Sequence, residues 1–431
     1  MTDAEPDARN TRLVGSHDLQ GRAGLQVTVR GNWCYVGHLP GTHPNPLTGD
    51  VEHNGTSIVD VADPARPVLV AHIPGVSARS NSRAVQVITS ARDGRDYLVR
   101  NLESVPEFAF EVFDISDRGR PRLVSRITET DRGPITYAHK GWWDAESGLY
   151  FASAGEGGFR WGGHLVIWDL SDPSSPRFVA RHWLPGQEES EPEPPGVKGI
   201  NLHHPVVDIA AGRVYQGYPR GGYVEVVDIT DVSRPQTELL FCISPTFNRG
   251  PHTALPLNRV RCPNFTPGAG DVRDFIVFVN EANNGRPDHT EIRTMLYMLD
   301  VTARDNPMTV DTFRVPDGEY VARGGRFGPH QFAETRDGTL YSPQNAGNLL
   351  FVAYFSAGLR VLDISDPFDM KEVGHFVPSI TANTVTRPGS LSEPIEQQVI
   401  QTNDVDLDAS GLAYTTDRAG TGLHVIEYVA A

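Results

Sequence analysis

His139, His203, His252 and His330 are the residues of this chain with the most chemistry to offer. Two of them stand in an identical tripeptide, Gly250-Pro251-His252 and Gly328-Pro329-His330, and a third opens His203-His204-Pro205. Neutral imidazole is the commonest metal ligand among side chains. Four imidazoles gathered round one axis without a cation would leave buried ring nitrogens short of partners, which is costly. A donor set with no thiolate and no obligatory carboxylate suits a transition metal, Fe(II) in the first place and Cu, Zn or Ni as alternatives, over Mg or Ca. Four such ligands leave one or two positions open on a five- or six-coordinate ion, the condition for activating O₂ or a substrate. A Ca²⁺ site would need oxygen ligands instead.

The reason to group these four among the 15 histidines is a repeat. Seven apolar runs end in an acidic residue, at Asp60, Asp114, Asp169, Asp228, Asp300, Asp363 and Glu427, spaced 54, 55, 59, 72, 63 and 64 residues apart. Most continue as Ile/Val/Leu-Ser/Thr-Asp-Pro, a second Pro and a second apolar strand, as in Pro121-Arg122-Leu123-Val124. A period of this length marks a radial or solenoid array. The third copy reads as four short strands, His139–Trp143, Leu149–Ala152, Leu165–Trp168 and Arg177–His182, which is the make-up of a propeller blade. The expected fold is therefore all-β, a seven-bladed β-propeller forming one domain over residues 1–431. Arg12-Leu13-Val14-Gly15-Ser16-His17-Asp18 reads like the outer strands elsewhere. Residues 12–18 are thus expected to complete the last blade, formed by 400–431, and to remove its open edge. Residues 1–9 are expected to be dispensable.

Overlaying the blades puts Leu25, Arg83, His139, His203, His252, His330 and Asn403 at one equivalent point, the start of the innermost strand. Four consecutive blades then aim a histidine at one mouth of the channel, with either His203 or His204 as the ligand of the fourth blade. Glu103, Glu156, Glu281 and Asp417 fall at the ends of second strands, at the same mouth. The three glutamates are expected to accept the outer ring N–H of the ligands, or one of them to act as general base. Insertions 37–56, 186–200, 282–293, 315–329 and 378–400 should gather on this face, and 257–274 on the other. They would bring His38, His43, His53, Tyr320, Arg323, Arg326 and Phe327 to a covered pocket suited to an organic substrate with an anionic or phenolic group.

The repeats resemble the LVIVD-repeat family in Asp363-Ile364-Ser365-Asp366-Pro367 and Asp60-Val61-Ala62-Asp63-Pro64-Ala65-Arg66-Pro67; the fifth copy, Asp300-Val301-Thr302-Ala303, is degenerate. The resemblance covers nearly the whole chain and implies a β-propeller, without implying a chemistry. The four-histidine layout is similar in architecture, though not in sequence, to that of the carotenoid cleavage oxygenases, where iron sits on four histidines with glutamates behind them. A comparably distant likeness, to the selenium-binding protein/methanethiol oxidase propellers, implies copper.

A formal charge of -16 speaks against a nucleic-acid partner. No apolar stretch approaches the roughly 18 residues of a membrane span. Met1 to Asn10 lack a secretory signal's apolar core, and Cys34, Cys242 and Cys262 form no disulfide framework, so a cytoplasmic location is expected. The repeats fix no oligomeric state. The functional expectation is an iron(II)-dependent oxygenase acting on a small aromatic or unsaturated molecule. The alternatives are a metal-dependent lyase or hydrolase on the same site and a non-catalytic scaffold for protein interaction.

Overall fold

The computed structural model describes residues 6–104, 107–193, 199–243, 250–268, 270–281, 294–386 and 397–430. The expected insertion 282–293 lies outside the described residues, as do 194–198, 269 and 387–396 of three others. Seven antiparallel sheets are arranged as blades, each built mainly of four strands that pair in chain order. Blade three, for example, runs Gly133–Trp143, Leu149–Glu156, His164–Asp169 and Arg177–His182.

The acidic markers explain why the repeat folds this way. Asp60, Asp114, Asp169, Asp228, Asp300 and Asp363 each accept the backbone N–H two residues on, at 2.8–3.0 Å. A second aspartate repeats the device at Asp63, Asp117, Asp172, Asp231 and Asp366. These are Asx turns, in which the side chain replaces a backbone bond and fixes the chain reversal. Ala303 removes the second turn from blade five, where the backbone bond from Asn306 N–H to Ala303 C=O, at 3.0 Å, still closes the corner.

Every pairing of a third strand with its outer strand carries one register shift, for instance at Val112/Phe113, Ile167/Trp168 and Val361/Leu362. The N-terminal strand Thr11–His17 pairs with Leu423–Tyr428 and carries the same irregularity at Leu13/Gly15. It is therefore the outer strand of blade seven, and Arg12 pairs with the marker Glu427. The expected dispensability of residues 1–9 does not hold. Asp7–Arg9 forms a fifth strand on blade six, where Asp7 accepts from Tyr320 Oη at 2.6 Å and Arg9 donates to Glu372 at 2.8 Å. The chain start thus fastens two adjacent blades.

The blades pack through Val, Ile, Leu and aromatic side chains that are fully buried, among them Trp168, Tyr215, Phe110 and Phe275. Burying such side chains supplies about 25 cal/mol per Å² of apolar surface. Stability therefore resides between blades and leaves the channel free to hold polar groups. No described helix is long and apolar enough to cross a membrane, and none of the three cysteines forms a disulfide.

Candidate metal centre

The innermost strands are irregular where they reach the channel mouth. Register shifts occur at Gly24/Val27, Ala138/Gly141, Pro251/Thr253 and Thr402/Asp404. A β-bulge breaks the alternation of the strand and re-aims side chains. Consequently Leu25, His139, His252 and Asn403 sit inside bulges. His203 and His330 stand just before their strands, held by His203 N–H to Gly217 C=O at 3.0 Å and His330 N–H to Ala353 C=O at 2.9 Å.

All four expected histidines come together. The ring centroids of His139 and His203 are 4.6 Å apart, those of His203 and His252 3.4 Å, and those of His252 and His330 4.5 Å. Which nitrogen carries the proton follows from the outer partners. Glu103 Oε1 lies 2.5 Å from His139 Nδ1 and must accept from it. Asn403 C=O, 2.5 Å from His330 Nδ1, can likewise only accept. Thr253 Oγ1 donates to Gln331 Oε1 at 3.0 Å and so accepts from His252 Nδ1 at 2.9 Å. His204 Nε2 donates to Glu334, leaving His204 Nδ1 to accept from His203 Nδ1 at 2.7 Å.

Each of the four imidazoles is thus a neutral Nδ1–H tautomer with its Nε2 lone pair turned inward. His139 Nε2 and His203 Nε2 face each other at 2.9 Å with no proton left to share. Two nitrogens held about 2.1 Å from one ion, at a right angle, would be about 3.0 Å apart. His252 Nε2 is buried with no hydrogen-bond partner among the described residues. An orphaned buried nitrogen costs about 1–3 kcal/mol unless something else satisfies it. Burial also lowers the pKa of all four rings; for His330 it is pushed down to about 3. Neutral, desolvated, pre-oriented imidazoles fit a transition metal.

The carboxylates divide. Glu103 stands behind His139 and is tied on its other oxygen to Arg83 at 2.8 Å and Asn81 at 3.1 Å. Burial would raise its pKa, but Arg83 and His139 together lower it, so it is ionised. Glu281 lies 4.0 Å from His252 Nε2 and 3.8 Å from His330 Nε2, too far for hydrogen bonds. The ligand atoms of His252, Glu281 and His330 all fall within 4.8 Å of one another, the spacing of groups that share an ion. Glu281 is therefore spaced to share an ion with His252 and His330, were one bound, and Arg326 holds it at 2.7 Å.

Glu156 does not join this site. Its residue pairs with Ile135, four positions before His139, because the hairpin of blade three extends beyond the ring. Its carboxylate takes Thr130, Arg181 and, at 3.2 Å, His164. Asp417 also serves a turn, accepting the backbone N–H groups of Gln401 at 2.6 Å and Ala419 at 2.7 Å.

Sequence reasoning missed a layer below the ring. Glu334 supports His204 and lies 3.9 Å from the buried Lys140 ammonium. Asp404 and Asp406, whose pKa values burial raises, in Asp404 to about 7, accept Val27 N–H at 2.9 Å and Val29 N–H at 2.7 Å, tying blade seven to blade one. The one available signal was Glu334 four residues after His330.

Above the ring is a cavity of about 460 Å³, lined by His139, His203 and His330, Glu103, Glu281, Tyr137 and several arginines, with His252 buried behind them. Of the loop residues expected there, Arg326 arrives. His38, His43 and His53 do not: His38 Nε2 bonds Ser57 Oγ at 2.8 Å and His43 Nδ1 bonds Asn54 at 2.9 Å, within blade one and its hairpin. Tyr320 turns to Asp7, Arg323 to Glu319 at 3.1 Å, and Phe327 packs on Tyr354.

Comparison with known proteins agrees with this architecture. The LVIVD repeat matches residues 51–73, 160–182 and 346–377, each ending in a third strand, Asx turn and outer strand. A search of curated proteins finds no match. Among solved structures, a hypothetical selenium-binding protein from Sulfolobus tokodaii is similar with a TM-score of 0.52 at 11% identity, over 94% of this chain and 92% of that one. The periplasmic gluconolactonase of Pseudomonas aeruginosa gives 0.47 at 15% identity, over 87% and 86% of the two chains. A putative 6-phosphogluconolactonase from Bacteroides fragilis gives 0.48 at 12% identity, over 100% and 97%. At 11% identity the first of these likenesses is one of fold alone. The chain is a seven-bladed β-propeller that carries LVIVD repeats.

Proposed function

We propose that this protein is a mononuclear metalloenzyme whose ion is held by Nε2 of His139, His203, His252 and His330, with Glu281 beside it. The observation that carries the reading is the tautomer pattern: every Nδ1 proton is committed outward, which leaves the Nε2 lone pairs of His139 and His203 facing each other at 2.9 Å and those of His252 and His330 beside Glu281. A scaffold for protein interaction has no need of such an arrangement. Imidazole donors with one nearby carboxylate favour Fe(II), with Cu, Zn or Ni served by the same ligands. Bound there, a redox-active ion would supply O₂ activation, and the reaction class is oxygenation of a small organic molecule admitted to the cavity. Glu103 and the His204–Glu334 pair keep His139 and His203 in the ligating tautomer. The bulged strands fix ring orientation before any ligand arrives.

A Lewis-acid lyase or hydrolase is the second reading, favoured by Glu281, which is near enough to two of the ligands to take a proton from a bound water. We place the protein in the cytoplasm, in keeping with its lack of disulfides. Anaerobic purification with elemental analysis tests the proposal. Near-stoichiometric content of a single transition metal is expected; a metal-free protein that takes up none of Fe(II), Cu(II), Zn(II) or Ni(II) would refute it. Oxygen uptake with aromatic and unsaturated acids then separates the oxygenase from the second reading.

A further inference from the structure

Blade three brings a phenol to the mouth as well as an imidazole. Its innermost strand carries a bulge at Ile135/Tyr137, ahead of the one that holds His139, and a bulge re-aims the side chains it contains. The rings of Tyr137 and His139 stack, with centroids 5.7 Å apart and planes 23° from parallel. Close backbone approach makes the seat for this phenol. A Cβ on Gly155 would stand 2.9 Å from Tyr137 Cβ, and one on Gly163 would stand 3.0 Å from Tyr137 Cε1. Larger residues at either position would push the ring off the histidine.

The hydroxyl is oriented as well as the ring. Gly163 N–H donates to Asn201 Oδ1 at 2.5 Å, which fixes the amide with its NH₂ turned away from Gly163. That NH₂ is set beside the Tyr137 oxygen. A phenol oxygen that accepts from an amide still has one proton to give. Tyr137 is half-buried, lines the cavity, and makes no further hydrogen bond among the described residues. The carboxylate on this flank, Glu103, is already filled by His139 on one oxygen and by Arg83 and Asn81 on the other. Arg220, exposed at the same rim, adds positive charge beside the phenol and favours an oxygen that bears negative charge. A carboxylate or phosphate asks for paired donors, whereas one hydroxyl serves a single oxygen.

We infer that the substrate presents one oxyanion, a phenolate or enolate oxygen, and that Tyr137 Oη–H donates to it, holding the molecule in the cavity beside His139. Tyr137 is then a substrate-binding residue that selects for the oxygen, and Asn201 is the positioning residue that keeps the hydroxyl turned to it. The inference deepens the metalloenzyme reading and rests on it only for the reaction that follows; the hydrogen bond itself needs no ion.

The test is titration of the full-length protein, chelator-stripped and Zn(II)-loaded, with 4-nitrophenolate, with nitrobenzene, which lacks the phenolate oxygen, and with benzoate. A hydrogen bond to the phenolate oxygen moves its absorption band to shorter wavelength, so the spectrum reads the contact directly. The stripped wild type should bind 4-nitrophenolate with this shift and at least about tenfold more tightly than Tyr137→Phe, the yield of one hydrogen bond to a charged group. Nitrobenzene should bind alike to both proteins, and Tyr137→Phe should take up as much Zn(II) as the wild type. Asn201→Leu, which keeps the hydroxyl but not its orientation, should lose part of the shift. Equal affinity and an equal shift in wild type and Tyr137→Phe would overturn the inference. So would binding seen only with Zn(II) and indifferent to Tyr137→Phe, which marks a ligand of the metal alone, or no binding of 4-nitrophenolate in either form. Tighter binding of benzoate would overturn the single-oxyanion class. If no Zn(II) is taken up but the shift still depends on Tyr137, the metal reading fails and the donor stands. Should Tyr137→Phe not fold, the stripped wild type and Asn201→Leu carry the decision: an unshifted band in the first, or an undiminished shift in the second, would sink the assignment.

Discussion

Replacing Glu103 by Gln is a sharp probe of the support behind the ring. The carboxylate has three demands on it: His139 Nδ1–H at 2.5 Å on one oxygen, and Arg83 at 2.8 Å with Asn81 at 3.1 Å on the other. All three partners are donors, and a carboxylate is an acceptor on both sides. An amide is not. With its oxygen toward His139, the amide NH₂ would confront Arg83 and Asn81; flipped, it would confront His139 Nδ1–H. In the second case the imidazole proton moves to Nε2 and blocks the lone pair that faces the ion. Either way one charge-assisted bond is lost, about 1.5–3 kcal/mol. The loss matches the 10–100-fold that a missing outer partner typically costs in metal affinity. Chelator competition measures the affinity, and thermal melting reports the fold. Glu156→Gln is the control, since its partners Thr130, His164 and Arg181 belong to blade three. It should lower the melting temperature and leave metal affinity unchanged. Unchanged affinity in a folded Glu103→Gln, or equal losses in both variants, would refute the tautomer argument.

Two further outcomes test the frame of the propeller. Deleting residues 1–10 should lower the melting temperature while leaving the protein soluble, because Asp7 and Arg9 bond Tyr320 and Glu372 on blade six. Deleting 1–18 should abolish cooperative unfolding or cause aggregation, because the edge of blade seven opens; equal melting of both truncations would contradict the closure. Burial pushes the His424 pKa down to about 4, below its unfolded value of 6.5. Stability from this residue is complete above pH 6.5 and is lost as pH falls toward 4, by at most about 3 kcal/mol. Urea unfolding at pH 7 and pH 4.5 should show a smaller acid loss in His424→Gln; identical losses would show that His424 is not held neutral.

The blades were legible because their corners are chemical. Asp60, Asp114, Asp169, Asp228, Asp300 and Asp363 each do one job that few other residue types can do, so their period survives in the sequence as it does in the fold. The closing strand was legible by its likeness to other outer strands. The site was legible only in part. Four histidines at one repeat position pointed to the ring, but the bulges at Ala138/Gly141 and Pro251/Thr253 have no residue signature and reset the alternation locally. Local irregularity ahead of the strand Pro205–Asp208, where no alternation applies, likewise hid which of His203 and His204 stands on the ring and which behind it. The bulges are also why Glu156 was expected level with His139, and why Glu334 and Lys140 went unseen. Loop residues such as His43 and Tyr320 carried no positional information at all, and local partners claimed them.

The most direct measurement is metal content of the wild type beside His139→Ala, His203→Ala, His252→Ala and His330→Ala, with His17→Ala on the outer closing strand as control. The wild type and His17→Ala should each hold near-stoichiometric transition metal. Each ring variant should lose most of it while melting close to the wild type, since stability lies in packing between blades. A wild type that holds none, or two or more ring variants that keep their full metal, would contradict the four-histidine centre.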